Sequence, residues 1–159
     1  MRYHLICCFL ALIGLFAQSA PALAQDEARW MLQTSLYTHH FSPDPTHSDH
    51  QNLIGLEYQR PDRWLAGAAF FKNSFNQDSQ YLYVGKLWRP FESVQLVHTK
   101  LTGGLLLGYK EPYENKIPVN SNGVGLGIVP SIGLSGKHLS GEVAILGTAA
   151  AMLTVGVLF

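Results

Sequence analysis

The chain has 159 residues, with 11 Lys and Arg against 11 Asp and Glu, 15 glycines and two cysteines. A balance this close to neutral removes the broad electrostatic case for nucleic-acid binding, and the length suits a single domain. Both cysteines, Cys7 and Cys8, fall in the N-terminal leader, so a processed chain has no thiol nucleophile, thiolate ligand or disulfide.

The leader places Arg2 before an apolar stretch from Leu5 to Phe16 and closes on Ala22, Leu23 and Ala24, the pattern of a cleaved secretory signal. The apolar stretch is shorter than the about 20 residues that a helix needs to cross a bilayer. Cleavage after Ala24 is therefore expected, leaving residues 25–159 as one domain.

Beyond the leader no stretch keeps a 3.6-residue apolar period and glycine is frequent, so strands are predicted. Eight runs stand out, near residues 30–41, 52–59, 64–73, 80–88, 95–109, 122–134, 138–147 and 150–159. In the first, Trp30, Leu32, Thr34 and Leu36 alternate with Met31, Gln33, Ser35, Tyr37 and His39; the second set is the more polar, and strict alternation puts it inside a closed sheet. In the second, Ile54, Leu56 and Tyr58 face out while Gly55, Glu57 and Gln59 face in. The fifth sets His98, Lys100, Thr102, Gly104 and Gly108 opposite Leu101, Leu105, Leu107 and Tyr109. Glu57, Lys100 and Glu142 are thereby placed to neutralise one another inside, where an unpaired charge is costly. The last run turns Val157, Val155, Leu153 and Ala151 to one face, with Met152, Thr154, Gly156 and Leu158 on the other.

The connections alternate in character. QRPDR (59–63), RPFES (89–93) and SGKH (135–138) are compact turns, whereas residues 42–51, 73–80 and 110–122 are longer and polar, and only Gly147-Thr148 is short among that second set. Short turns at one rim, longer loops at the other and an even strand count are how outer-membrane barrels are built. The terminal Phe159 resembles the closing strand of those proteins, where it also serves as the assembly signal. Trp30, Trp64, Trp88, Tyr58, Tyr109 and Phe159 near the run ends fit an interfacial aromatic girdle. The expected fold is all-β: an eight-stranded antiparallel transmembrane β-barrel, monomeric in the bacterial outer membrane and delivered there by the assembly machinery. A soluble periplasmic sandwich is the alternative.

Within AAFFKNSFNQ, an apolar run stops at Lys72, Asn73 and Ser74, at the rim where His39 and His40 end the first run. Strands one and three are not neighbours in a meander, but their loops can converge over a narrow mouth. A His beside a Ser is the raw material of acyl transfer, the imidazole accepting the hydroxyl proton as the carbonyl is attacked. The same loop offers His39, His40, His47, Asp49 and His50 to a divalent ion, although their spacing matches no established metal signature. No cofactor is expected.

A His closing the first strand, then FFKNSF, then YLYVGKLWRP, then IP ahead of a Gly-rich apolar strand: this series resembles the outer-membrane lipid A palmitoyltransferases. The likeness covers roughly residues 35–159 and is carried by those few motifs. It implies a barrel with an interior hydrocarbon pocket that moves a fatty acyl chain from a phospholipid to lipid A or a similar acceptor. Ser74 matches the family's essential serine, and His39 or His40 its essential histidine. Asn73 stands where the family has Asp, and an amide cannot carry the negative charge that stabilises an imidazolium. Residues 25–29 leave no room for the family's amphipathic helix before the first strand. In that family an in-strand proline, here Pro130, marks a lateral opening for lipid. Interior glycines such as Gly55, Gly67, Gly104 and Gly127 leave room for an acyl chain, or permit strong strand curvature. The competing expectation is a non-catalytic barrel: structural, ligand-binding or a narrow passage.

Overall fold

Alternation of large apolar with small or polar residues builds strands here, because one face of each must meet the interior and the other must not. The computed structural model describes residues 27–42, 47–91, 93–117 and 119–159; the leader, residues 1–24, lies outside them. The strands are β1 (Arg29–His40), β2 (Ile54–Gln59), β3 (Trp64–Lys72), β4 (Asp78–Trp88), β5 (Val97–Leu107), β6 (Asn120–Ser121), β7 (Val124–Ser135), β8 (Leu139–Leu146) and β9 (Ala150–Leu158). The described residues contain no α-helix, and one short 3-10 turn spans Glu114–Lys116. All pairings are antiparallel, and two of them close the sheet: β1 with β9 and β5 with β7. The result is a closed eight-stranded barrel, with β6 adding only a two-residue pairing to the start of β7. Closure leaves none of the eight barrel strands as a full-length free edge. Trp30 and Phe159 exchange backbone hydrogen bonds of 2.8 and 2.9 Å, which sets the chain end at the rim of the short turns. We call this the terminal rim and the opposite one the loop rim.

Inside and outside follow the alternation in β2, β5 and β9. Gly55 and Glu57 face in while Ile54 and Leu56 are exposed, and Met152, Thr154, Gly156 and Leu158 are buried. Gly108, expected on the inward face of the fifth strand, instead ends that strand with φ 104, a left-handed conformation that costs glycine little.

β1 departs from strict alternation. Its register with β9 shifts between Ser35 and Tyr37, so Leu36 is an extra residue, a β-bulge. Past the bulge the faces exchange. Thr38 and His40 are buried, whereas Tyr37 and His39, expected inside, are exposed. One inserted residue thus decides which histidine the barrel encloses.

The lumen is filled in two halves. Toward the terminal rim, Lys100 Nζ bonds both oxygens of Glu57 at 3.0 and 3.1 Å and lies 2.8 Å from Glu142. The Tyr83 hydroxyl donates to Glu57 at 3.0 Å and accepts from Gln33 at 3.1 Å. His98 Nε2 lies 3.3 Å from Glu142 Oε1. Glu57, Lys100 and Glu142 hang from β2, β5 and β8, so the network crosses the lumen as a plug. Toward the loop rim the lining turns apolar, with Leu53, Ala69, Tyr81 and Met152 packed with Phe71, Leu106, Val129 and Leu146.

The space that interior glycines leave is occupied by neighbouring side chains: a Cβ at Gly67 would lie 2.5 Å from the Tyr83 ring, and one at Gly127 would lie 3.1 Å from the Tyr81 ring. At Gly104 the obstacle is backbone, since a Cβ there would fall 1.9 Å from the Leu82 carbonyl oxygen. Gly104→Ala must push β4 and β5 apart and is expected to cost about 3 kcal/mol. A denaturant titration followed by tryptophan fluorescence measures it, and an unchanged midpoint contradicts the close approach.

Pairing between β7 and β8 is short. Only Ser131–Ser135 of β7 match β8, although β7 continues to Val124 on its β5 side. The break begins at Pro130, which has no N–H to donate. Above it the Thr102 hydroxyl donates to the Val129 carbonyl and the Tyr81 hydroxyl to that of Gly127, each at 3.2 Å.

Candidate active site

Three chain segments meet at the loop rim because residues 48–53 run in the lane that β2 vacates. On one side Thr38 N donates to the Asp49 carbonyl at 3.0 Å; on the other, Lys72 N donates to Gln51 O at 2.7 Å and Ser48 N to Ser74 O at 3.0 Å. The Thr38 hydroxyl bonds the Gln51 amide, whose Nε2 donates to Ser48 O at 2.6 Å. This short stitch joins the ends of β1 and β3, which the sequence placed at the same rim without adjacency.

His40 ends β1 with its ring buried, and Ser74 Oγ lies 2.8 Å from its Nε2. On the far side of the ring, Nδ1 lies 3.1 Å from Asp49 Oδ1. An ionised carboxylate only accepts, so it fixes the proton on Nδ1 and leaves Nε2 to accept from the Ser74 hydroxyl. This is the hydrogen-bond order of a serine nucleophile, its base and the group that orients the base.

The four residues singled out in the sequence separate into two groups. His40 and Ser74 come together. His39 lies on the exterior, its ring edge-on to Phe41 at 6.2 Å, and takes no part. Asn73 is buried but turned away from His40: its Oδ1 accepts from the backbone of Phe75 and Gln77, each at 3.0 Å, and its Nδ2 donates to Gln77 Oε1 at 3.1 Å. Asn73 therefore shapes the turn that carries Ser74, and the carboxylate it cannot supply comes from Asp49. Sequence reasoning had placed Asp49 only among metal ligands. That set does not assemble: among the described residues no group of three or more His, Cys, Asp or Glu side chains is placed to hold a metal ion. Truncating Asn73 to alanine removes three hydrogen bonds from a buried turn, and a stability loss of about 2 kcal/mol is expected in a denaturant titration; no loss would contradict its structural role.

An aromatic roof spans the loops above this pair. The His47 ring lies 4.7 Å from that of His40 and 5.1 Å from Phe75, which stacks on Tyr113 at 3.8 Å. Gln77 ties the second and third loops together by exchanging hydrogen bonds with the Lys110 backbone at 3.2 and 3.3 Å. Burial pushes the Tyr109 hydroxyl up to about 12. Ser74 itself remains partly accessible.

Compared with known proteins, the chain matches no family model, and no curated protein is significantly similar to it.

Proposed function

We propose that the chain is an outer-membrane β-barrel that cleaves an acyl ester of a membrane lipid at Ser74 and passes the acyl group to lipid A or a similar acceptor. The observation that carries this reading is His40 between Ser74 and Asp49, one ring nitrogen within hydrogen-bond reach of each. Ser74 Oγ attacks the ester carbonyl while His40 Nε2 takes its proton; the C–O bond breaks and that proton goes to the leaving lysolipid oxygen. The acceptor hydroxyl, or water, then attacks the acyl-serine ester with His40 again as base, and Ser74 regains its proton.

The membrane setting rests on the exterior. Ile54, Val84, Leu126 and Ile128 are 55–71% exposed among many other large apolar residues on the outward faces, a coat that water solvates poorly and hydrocarbon solvates well. Trp30, Trp64 and Trp88 project outward near the terminal rim, as interfacial aromatics do. The leader expected over residues 1–24 suits export to that membrane.

We place the route of an acyl chain from the bilayer to Ser74 at the wall above Pro130, where β7 and β8 stop pairing beside the apolar half of the lumen. Its binding there requires rotamer changes of Met152, Leu146 and Phe71. The resemblance to lipid A palmitoyltransferases suggests phospholipid as donor. The charged plug across the lower lumen speaks against a passage protein, leaving a non-catalytic structural barrel as the alternative. To decide between them, the purified protein is incubated in mixed micelles with acyl-labelled phospholipid, with and without lipid A. Label moving to lipid A supports transfer and free fatty acid supports hydrolysis; label staying on phospholipid in both, with the barrel intact, sinks the enzymatic reading.

A further inference from the structure

The strands carry few charged side chains, and register disposes of all but one of them. Glu57, Lys100 and Glu142 form the plug in the lumen. Arg29 shares the inward face of Met31. Lys72 and Asp78 point outward where β3 and β4 meet the loop rim, and they neutralise each other at 2.6 Å. Lys86 remains. It lies between the buried Gly85 and Leu87 on β4, so it too points outward. Among the described residues it has no ion-pair partner, and its ammonium lies over the Trp64 ring, 5.1 Å from the centroid.

The surroundings of Lys86 are apolar on one side and aromatic on the other. Trp64, the first residue of β3, faces it across one strand pairing and Leu101 across the other. Trp88, two residues further along β4, ends that strand on the same outward face. Away from the rim the wall continues as Val84 and Leu82, both exposed. The ammonium thus stands where the apolar coat meets the tryptophans. A lysine turned toward hydrocarbon is costly at the bilayer midplane and tolerated near the interface, and its methylene stem lets the charge reach headgroup depth. An indole face answers only part of that charge. At this depth the anion that a lipid leaflet supplies is a headgroup phosphate.

We propose that Trp64, Lys86 and Trp88 form a binding site for one anionic glycerophospholipid, its phosphate paired with the Lys86 ammonium between the two indoles and an acyl chain lying along Val84, Leu82 and Leu101. The site rests on the membrane setting proposed above, in which the terminal rim faces the periplasm and the inner leaflet, and it stands whether or not Ser74 is catalytic. A net-anionic headgroup is preferred because a zwitterionic one carries its own cation beside the phosphate.

The test uses the processed chain reconstituted in phosphatidylcholine bilayers, in a Trp30→Phe background so that Trp64 and Trp88 are the only tryptophans left. A brominated lipid quenches an indole that it touches, so quenching by brominated phosphatidylglycerol relative to brominated phosphatidylcholine gives the relative affinity at this wall. A preference of about five-fold for phosphatidylglycerol is expected, kept in Lys110→Gln at the other rim and lost in Lys86→Gln. Should Lys86→Gln not fold, as read from heat-dependent gel mobility, Lys86→Thr is used with the same expectation. No preference in the inserted wild type, or a preference that survives loss of Lys86, overturns the site and leaves the membrane setting standing. A folded barrel that does not enter bilayers overturns both.

Discussion

Ser74→Ala is expected to lower acyl-ester cleavage by about 10⁴-fold or more, the scale seen when a nucleophile is lost and only binding and electrostatic contributions remain. His40→Gln should cost about the same, because the serine then has no base 2.8 Å away. Residues acting as a unit are not additive, so the double variant should be little worse than either single one. Asp49→Asn separates a true orienting group from a bystander: losing the carboxylate while keeping the shape should cost about 10² to 10⁴-fold, toward the lower end because Asp49 is half exposed and water partly replaces it. Initial rates of fatty acid release or transfer in mixed micelles give all four values. If Asp49→Asn matches wild type while Ser74→Ala is dead, catalysis does not use the carboxylate. Equal rates in wild type and Ser74→Ala remove the serine mechanism entirely.

The second large effect concerns the plug. Lys100 is the cation between Glu57 and Glu142, all three side chains being no more than 7% exposed. Lys100→Met strands two carboxylates in the lumen with Tyr83, Gln59 and the hydroxyls of Ser131 and Ser140 as their remaining donors. Removing one partner of a buried ion pair typically costs about 3–5 kcal/mol, far more than the pair itself contributes. That loss should appear as a large drop in the denaturant midpoint of the detergent-solubilised protein. Adding Glu57→Gln and Glu142→Gln to Lys100→Met should restore most of it, since the stranded charges are then gone. A Lys100→Met protein as stable as wild type would show that water reaches the centre of the lumen.

What the sequence revealed and what it hid divide along physical lines. Strand faces in β2, β5 and β9 were readable because their alternation is unbroken, and parity alone placed Glu57 and Lys100 inside together. β1 was readable only as far as Ser35. A bulge adds one residue without any glycine or proline to announce it, and every residue of LQTSLYTHH suits a strand, so His39 and His40 could not be told apart. Ser74 and His40 were legible as residue types at one rim. Asp49 was not, because its place depends on how residues 48–53 lie between β1 and β3, a matter of loop path and not of periodicity.

The most direct measurement is covalent capture of the serine. A fluorophosphonate probe reacts with an activated hydroxyl, the oxygen displacing fluoride from phosphorus as a base removes the proton. Applied to the detergent-folded barrel and read by mass spectrometry, it should modify Ser74 in the wild type, nothing in Ser74→Ala, and Ser74 at least about 100-fold more slowly in His40→Gln. A correctly folded wild type that stays unmodified, or that reacts no faster than His40→Gln, would mean that His40 does not activate this serine.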